Sequence, residues 1–339
     1  MKAVASRSVR NVVRQIEKKT GVDRKVVRKA VDEAVAKREA VRASIAEALK
    51  HGNLDGEFKF LTYAGLLPVE LPDGTKIAVL PDIHVPAHDK KVMWAVLRAL
   101  KEYQPDIVII IGDVADCFAV GRWTPDPTVR RDFQNELDET RELLDEIREI
   151  SGCYWMFVIM GNHEDRLFRL LMEVCPGLAN VVNPHTRERA VTIHDLMGYG
   201  PEDNITFLYD TAERGGFGGG ILVNGQQEYH HGWTAPRTDT DKTGRSTSQG
   251  HTHAKSLTVR ETVDSEVSSS QGGHLVNVSH PYMAYAAMLN KWAQGLEFHT
   301  VVNGKVHIEP LPISEMDTGN GDLRKVLVWG DKVYLSSDR

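Results

Sequence analysis

Five short blocks of this 339-residue chain carry side chains that bind cations or move protons: Asp82-Ile-His84, Gly112-Asp113-Val-Ala-Asp116, Gly161-Asn-His-Glu164, His231-Gly232 and Gly250-His-Thr-His253. Imidazole, carboxylate and amide oxygen together form a ligand set for divalent first-row metals, and the lack of thiolates in these blocks disfavours a structural zinc site. Asp82 and His84, like His251 and His253, stand two residues apart, so on an extended segment each pair points to one side and converges. His163 supplies a group that titrates near neutral pH. His230 adjoins His231, and a one-residue shift would exchange their rings.

Each block lies close to an expected strand, the first four just past its end. Trp155–Met160 is an apolar run broken by Gly161, and Asp106–Ile111 is another, flanked by Pro105 and Gly112; such runs suit strands buried on both faces. Thr75–Leu80 reads as a strand. Asp89–Tyr103 and Phe133–Ile150 read as helices, the first with Val92, Ala95, Val96 and Ala99 on one face, the second with Leu137, Leu144 and Ile147 inward and Glu136, Glu139 and Glu142 outward. This alternation is that of an α/β layered sheet. Beyond residue 200 helical patterns are scarce, and short strands are expected at Ile205–Tyr209, Ile221–Tyr229, Leu257–Val263, Leu275–Val278, Glu297–Val302, Lys305–Ile308, Lys325–Trp329 and Lys332–Leu335. Gly215–Gly220 is followed by no helical pattern and reads as a loop rather than a phosphate cradle.

The charge is divided unevenly. Residues 1–50 hold 14 Lys+Arg against 6 Asp+Glu, a net +8 in a chain whose total is −6, which leaves −14 on the rest. Val9, Val12, Val13 and Ile16, then Val26, Val27, Ala30, Val31, Ala34 and Val35, mark two amphipathic helices around Gly21, with Asp23 as the second N-cap. The unit resembles a helix-turn-helix in which Arg24, Lys25, Arg28 and Lys29 line the second helix. Two uses fit residues 1–50: contact with DNA, and packing or oligomerisation. Residues 51–74 read as linker and lead-in, and 75–339 as the catalytic body. No apolar run is long enough to span a membrane, and three widely spaced cysteines form no disulfide framework; a cytoplasmic setting is expected, and the oligomeric state is left open.

The five blocks, in this order, resemble the signature of the calcineurin-like metallophosphoesterases. That resemblance implies two packed mixed β-sheets flanked by helices, with the helical segment as an N-terminal extension. It implies one divalent metal held by Asp82, His84, Asp113 and His253 and a second by Asp113, Asn162, His231 and His251, with Asp113 bridging; manganese leads, and iron, zinc and nickel suit the same ligands. A metal-activated hydroxide would attack phosphorus in line, His163 would protonate the leaving oxygen, and Asp116 would fix its tautomer. Arg166 and Arg122 are expected to grip substrate, although pairing of Arg166 with Asp165 is the plainer use. Asp82–Asp89, Gly161–Leu167 and Asn290-Lys-Trp-Ala-Gln-Gly295 resemble the branch found in phages and prophages. Cys117-Phe118 stand where protein serine/threonine phosphatases carry Arg-Gly. With the basic arm, these features point to a phosphodiester of nucleic acid or nucleotide; a phosphomonoesterase, a small cyclic-nucleotide phosphodiesterase and an inactive body on a DNA-binding arm are the alternatives.

Overall fold

A computed structural model describes residues 12–51, 62–122, 132–182, 189–209, 219–232, 244–261, 266–283, 292–319 and 321–336. The strands are β1 (Thr62–Ala64), β2 (Leu66–Val69), β3 (Lys76–Leu80), β4 (Ile107–Ile111), β5 (Trp155–Ile159), β6 (Ile205–Tyr209), β7 (Gly220–Val223), β8 (Gln227–His230), β9 (Ser246–Gln249), β10 (Lys255–Glu261), β11 (Glu266–Gly272), β12 (Gly295–Val302), β13 (Lys305–Asp317), β14 (Leu323–Trp329) and β15 (Lys332–Leu335). They form a nine-stranded sheet, β1-β6-β5-β4-β3-β12-β13-β14-β15, and a six-stranded sheet, β10-β11-β9-β8-β7-β2.

The pleat of the uninterrupted apolar strands explains how the layers assemble. Ile107, Ile109 and Ile111 of β4, with Trp155, Phe157 and Ile159 of β5, meet Leu67, Ile221 and Tyr229 of the second sheet in an inter-sheet core. Val108, Ile110, Met156 and Val158 point the other way, because successive strand side chains alternate faces. There they meet α3 (Lys90–Tyr103) and α4 (Phe133–Ser151). Each fully buried aliphatic side chain contributes roughly 1.5–3 kcal/mol by leaving water. Asp89 caps α3, its carboxylate accepting from the amides of Lys91 and Val92. Glu136 departs from the outward placement expected on α4: it is buried and accepts from the amide of Ala119 at 3.2 Å.

Registers then decide where the blocks emerge. β3, β4 and β5 are parallel neighbours, with Leu80 beside Ile110 and Ile110 beside Val158, so the turns after them leave one edge together. In the second sheet β8 and β9 are parallel, with His230 beside Gln249, and the turns that follow reach the same place. Crevices outside the carboxyl ends of parallel strands are where α/β sheets bind ligands.

Several strand expectations are corrected. Ile221–Tyr229 is a hairpin, β7 and β8 around Asn224-Gly225, a turn pair whose positive φ at both residues matches the strand twist. At Leu275–Val278 there are only isolated bridges at the neighbouring His274 and at Val276. β9 and β11, Ser- and Gln-rich, carry no apolar alternation and went unexpected. Gly215–Gly218 lie outside the described residues.

The N-terminal segment contains α1 (residues 12–20) and α2 (Arg24–His51), joined through Gly21 at φ +70; Val9 lies outside the described residues. The C-terminal half of α2 belongs to the body: Val41, Ile45 and Leu49 join the inter-sheet core. Lys37 Nζ pairs with Asp106 at 2.6 Å and bonds the carbonyl of Gly74. Arg38 covers the Tyr154 ring at 4.2 Å and donates to its hydroxyl. The described part of the expected linker also belongs to the sheets, since β1 pairs with β6 and β2 with β7. The body thus begins before residue 75 and draws in part of α2.

Candidate metal centre

The turns after β3, β4 and β9 are built from backbone that ordinary residues avoid. Asp82 (φ 43), His84 (φ 54), Asp113 (φ 50), His251 (φ 68) and His253 (φ 55) all lie in the left-handed region, which costs a non-glycine residue about 1–2 kcal/mol. The Asp82/His84 and His251/His253 pairs therefore converge through tight turns, not through the alternation of an extended strand. Neighbouring glycines make room. A Cβ on Gly161 would lie 2.1 Å from Asp113 Oδ1, one on Gly112 2.1 Å from His231 Nδ1, and one on Gly250 2.6 Å from Asp82 Oδ2.

These turns bring together Asp82, His84, Asp113 and His253 as one buried group, and Asp113, His231 and His251 as another, with potential ligand atoms within 4.8 Å of one another in each. Asp113 is common to both. Its Oδ2 lies 3.7 Å from His84 Nε2 and 3.3 Å from His231 Nε2. His84 Nε2 and His253 Nε2 face each other at 3.1 Å, and His253 Nε2 is 3.2 Å from Asp82 Oδ1. Asn162 Oδ1 stands 3.0 Å from His231 Nε2 and 2.9 Å from His251 Nδ1. His231 Nδ1 donates to the carbonyl of Ile111 at 3.0 Å, which leaves Nε2 for the centre. His230 is buried and belongs to neither group.

Electrostatics mark the cluster as built for positive charge. Burial alone would raise the Asp113 carboxyl, but His163, His231 and His84 hold it well below the usual range. Burial likewise opposes charge on His231, yet Asp113 and Asp82 push that ring up to about 10. Two buried carboxylates thus draw a proton onto a neighbouring imidazole, the position a cation would take.

Beside this cluster His84, Asp116 and His163 form a third group. His163 Nδ1 donates to the backbone carbonyl of Asp116 at 2.9 Å, which fixes the neutral tautomer and turns Nε2 toward the centre, 3.8 Å from Asp113 Oδ2. The Asp116 carboxylate expected to do this is shared: it lies 3.1 Å from His84 Nδ1, 3.2 Å from Arg166 Nη1 and 3.4 Å from His163 Nδ1. Burial depresses His163, and the carboxylates of Asp113 and Asp116 more than reverse that, leaving its pKa raised. Arg166 is not spent on Asp165, which pairs with Arg169; its Nη1 donates to the Asp116 carbonyl at 2.8 Å, and its Nη2 lies 2.9 Å from His163 Nε2. Arg122 is exposed, at the end of the turn that follows Asp116.

Glu164 holds the turns together. Its carboxylate accepts from the amides of Gly161 (2.7 Å), Ala115 (2.9 Å) and Asp113 (3.2 Å), joining the β4 and β5 turns. Burial and the Asp113 charge push it up to about 7. Its sequence signal was position alone. Trp292, whose ring lies 3.9 Å from that of His253, had a signal only in the Asn290–Gly295 likeness; Asn290 and Lys291 lie outside the described residues.

A two-sheet sandwich with helices outside and an Asp/His/Asn cluster at the strand ends defines a metal-dependent phosphoesterase. Residues 75–264 match the model of the calcineurin-like phosphoesterase family, and the chain belongs to that family. It is 26% identical over 251 residues to the Gene 54 proteins of Mycobacterium phages L5 and D29, covering 70% of this chain and 93% of each of those proteins. This places it with the phage branch. Among solved structures, Vps29 of Chaetomium thermophilum matches over 78% of this chain and 100% of its own, at 10% identity and a TM-score of 0.38. Among the described residues no helix is long and apolar enough to cross a membrane.

Proposed function

We propose that this phosphoesterase hydrolyses a phosphodiester of nucleic acid or nucleotide, using two divalent cations, manganese foremost. The observation that carries the two-cation reading is the position of Asp113, one carboxylate common to both ligand groups; two cations about 3.5–4 Å apart need an anion between them. When bound, such cations polarise phosphoryl oxygens and acidify a water. Asp82, His84 and His253 would hold one, and Asn162, His231 and His251 the other.

The remaining steps belong to the chain's own side chains. The water oxygen forms the new bond to phosphorus, the bond to the leaving oxygen breaks, and that oxygen takes a proton from Nε2 of protonated His163. The bond from its Nδ1 to the Asp116 carbonyl keeps Nε2 aimed at the centre, and Asp113 and Asp116 favour the charged ring. Such a general acid is worth on the order of 10²–10⁴-fold. Arg166, moored to Asp116 through Nη1, offers Nη2 to a phosphoryl oxygen, and when that oxygen takes Nη2, His163 Nε2 is released for its proton. The basic charge of residues 1–50 supports a polyanionic partner, bound through the exposed Arg24, Lys25, Arg28 and Lys29 with the salt dependence of phosphate contacts.

The test is hydrolysis of single- and double-stranded DNA and RNA and of bis-p-nitrophenyl phosphate by manganese-loaded protein. Cleavage by the wild type, with His163→Ala slowed on the order of 10²-fold or more, supports the reading. No cleavage, or equal cleavage by the variant, would overturn it, and preference for p-nitrophenyl phosphate would assign a monoesterase instead.

A further inference from the structure

We infer that a half-buried aromatic strip along one side of the metal centre is a platform for the nucleobase of the substrate, formed by Phe118 and Tyr282 with Trp292 as its far wall. The inference rests on the phosphodiesterase reading and narrows it to a nucleoside ester.

One end of the strip lies at the proton-transfer group. Phe118 follows Asp116 by two residues, and its ring stacks on Tyr282 with centroids 4.0 Å apart and planes 12° from parallel. His280 meets the Tyr282 ring edge-on at 4.8 Å. The other end lies at the metal ligands, where Trp292 packs on His253 at 3.9 Å and on His274 at 5.4 Å. Between the ends, Tyr282 and Trp292 pack against the small apolar cluster of Ala87, Val276 and Met283. The strip thus runs from the neighbour of Asp116 in sequence, by way of this cluster, to the ring packed on His253.

A phosphate held by cations, His163 and Arg166 makes no use of apolar surface. Aromatic rings left half-buried there serve whatever organic group the phosphate carries. Planar rings fit a planar group, and stacking of a base on such rings tolerates every base, since each has a π-face. Trp292 also gives a physical use to the Asn290–Gly295 stretch, which the metal chemistry does not employ. Gln294 fixes its end of that stretch, donating to Asp89 at 3.1 Å and to the carbonyl of Val276 at 2.9 Å.

The experiment compares two diesters with one leaving group, thymidine monophosphate p-nitrophenyl ester and methyl p-nitrophenyl phosphate, on the manganese-loaded full chain, and reads the ratio of their kcat/KM values. The wild type should prefer the nucleoside ester by roughly 10-fold or more. Phe118→Leu and Tyr282→Leu should each bring the ratio close to parity, and Tyr282→Phe, which keeps the stack, should retain it. Turnover of both esters without preference, or a preference the Leu variants leave intact, would overturn the platform while leaving the phosphodiesterase standing. Stronger preference for p-nitrophenyl phosphorylcholine would overturn it in favour of a lipid-type group. Turnover of neither diester would overturn both readings.

Discussion

The two edges of the central parallel strands use the same backbone conformation for opposite purposes. At the amino-terminal edge Gly74 (φ +78) and Gly152 (φ +62) turn the chain with nothing within 4 Å of where a Cβ would stand, and Lys37 and Arg38 of α2 dock there on Asp106 and Tyr154. At the carboxyl-terminal edge charged and imidazole side chains themselves adopt positive φ, and the glycines beside them stand where a Cβ would overlap a neighbouring side chain. One edge is ordinary closure of a fold. The other stores strain, which persists only where surrounding structure over-determines it, here through Glu164 and the aligned registers. The basic arm is anchored on the first edge through Lys37 and Arg38, whereas the Asp/His cluster lies at the second.

The largest separation between the edges should come from Asp113→Asn. Loss of the shared carboxylate should lower activity on the order of 10³-fold and metal content by elemental analysis, with the fold retained by circular dichroism; full activity and metal would break the assignment. At the opposite edge Ile45→Ala should cost about 2–5 kcal/mol in denaturant unfolding by leaving a cavity in the inter-sheet core, with metal content unchanged in the protein that remains folded. A matched pair tests the glycines directly. Gly161→Ala should weaken metal binding roughly 10–100-fold by displacing Asp113, whereas Gly74→Ala should cost about 1 kcal/mol of stability and leave kcat alone.

A pH titration sharpens the contrast further. In metal-free protein the folded pKa of His231 lies near 10, above the ordinary 6.5, so the folded state binds the extra proton. Its contribution should be complete below about pH 6.5 and fall away as pH rises toward 10. Cations that replace this proton should abolish that slope, and an apo-protein with flat stability across the window would contradict the charge balance argued for the cluster. Smallest of all, Lys37→Met should cost roughly 1 kcal/mol or less, since its ammonium is only partly withdrawn from water.

Much of the layered fold was legible because β4 and β5 are uninterrupted apolar runs whose burial on both faces follows from composition. Ser246–Gln249 and Glu266–Gly272 were not, since their side chains satisfy one another across strands, as Ser248 and Ser270 do at 2.6 Å, and leave no hydrophobic period to read. Glu136 was misplaced for a related reason. Helical spacing shows which residues share a face, but a carboxylate is drawn inward by a backbone amide supplied by a distant turn. Arg166 could be placed near the site by adjacency, yet its bonds to Asp116 and His163 depend on two turns separated by a whole helix.

The sequence by itself determined the ligand chemistry, the order of the blocks and the uneven charge, because residue type and strand-end position are local properties. Only the tertiary structure decided that Asp116 holds His163 through its carbonyl and that α2 closes the sandwich at the edge away from the chemistry. Those outcomes depend on strand register and left-handed turns, which are set by packing between segments far apart in the chain.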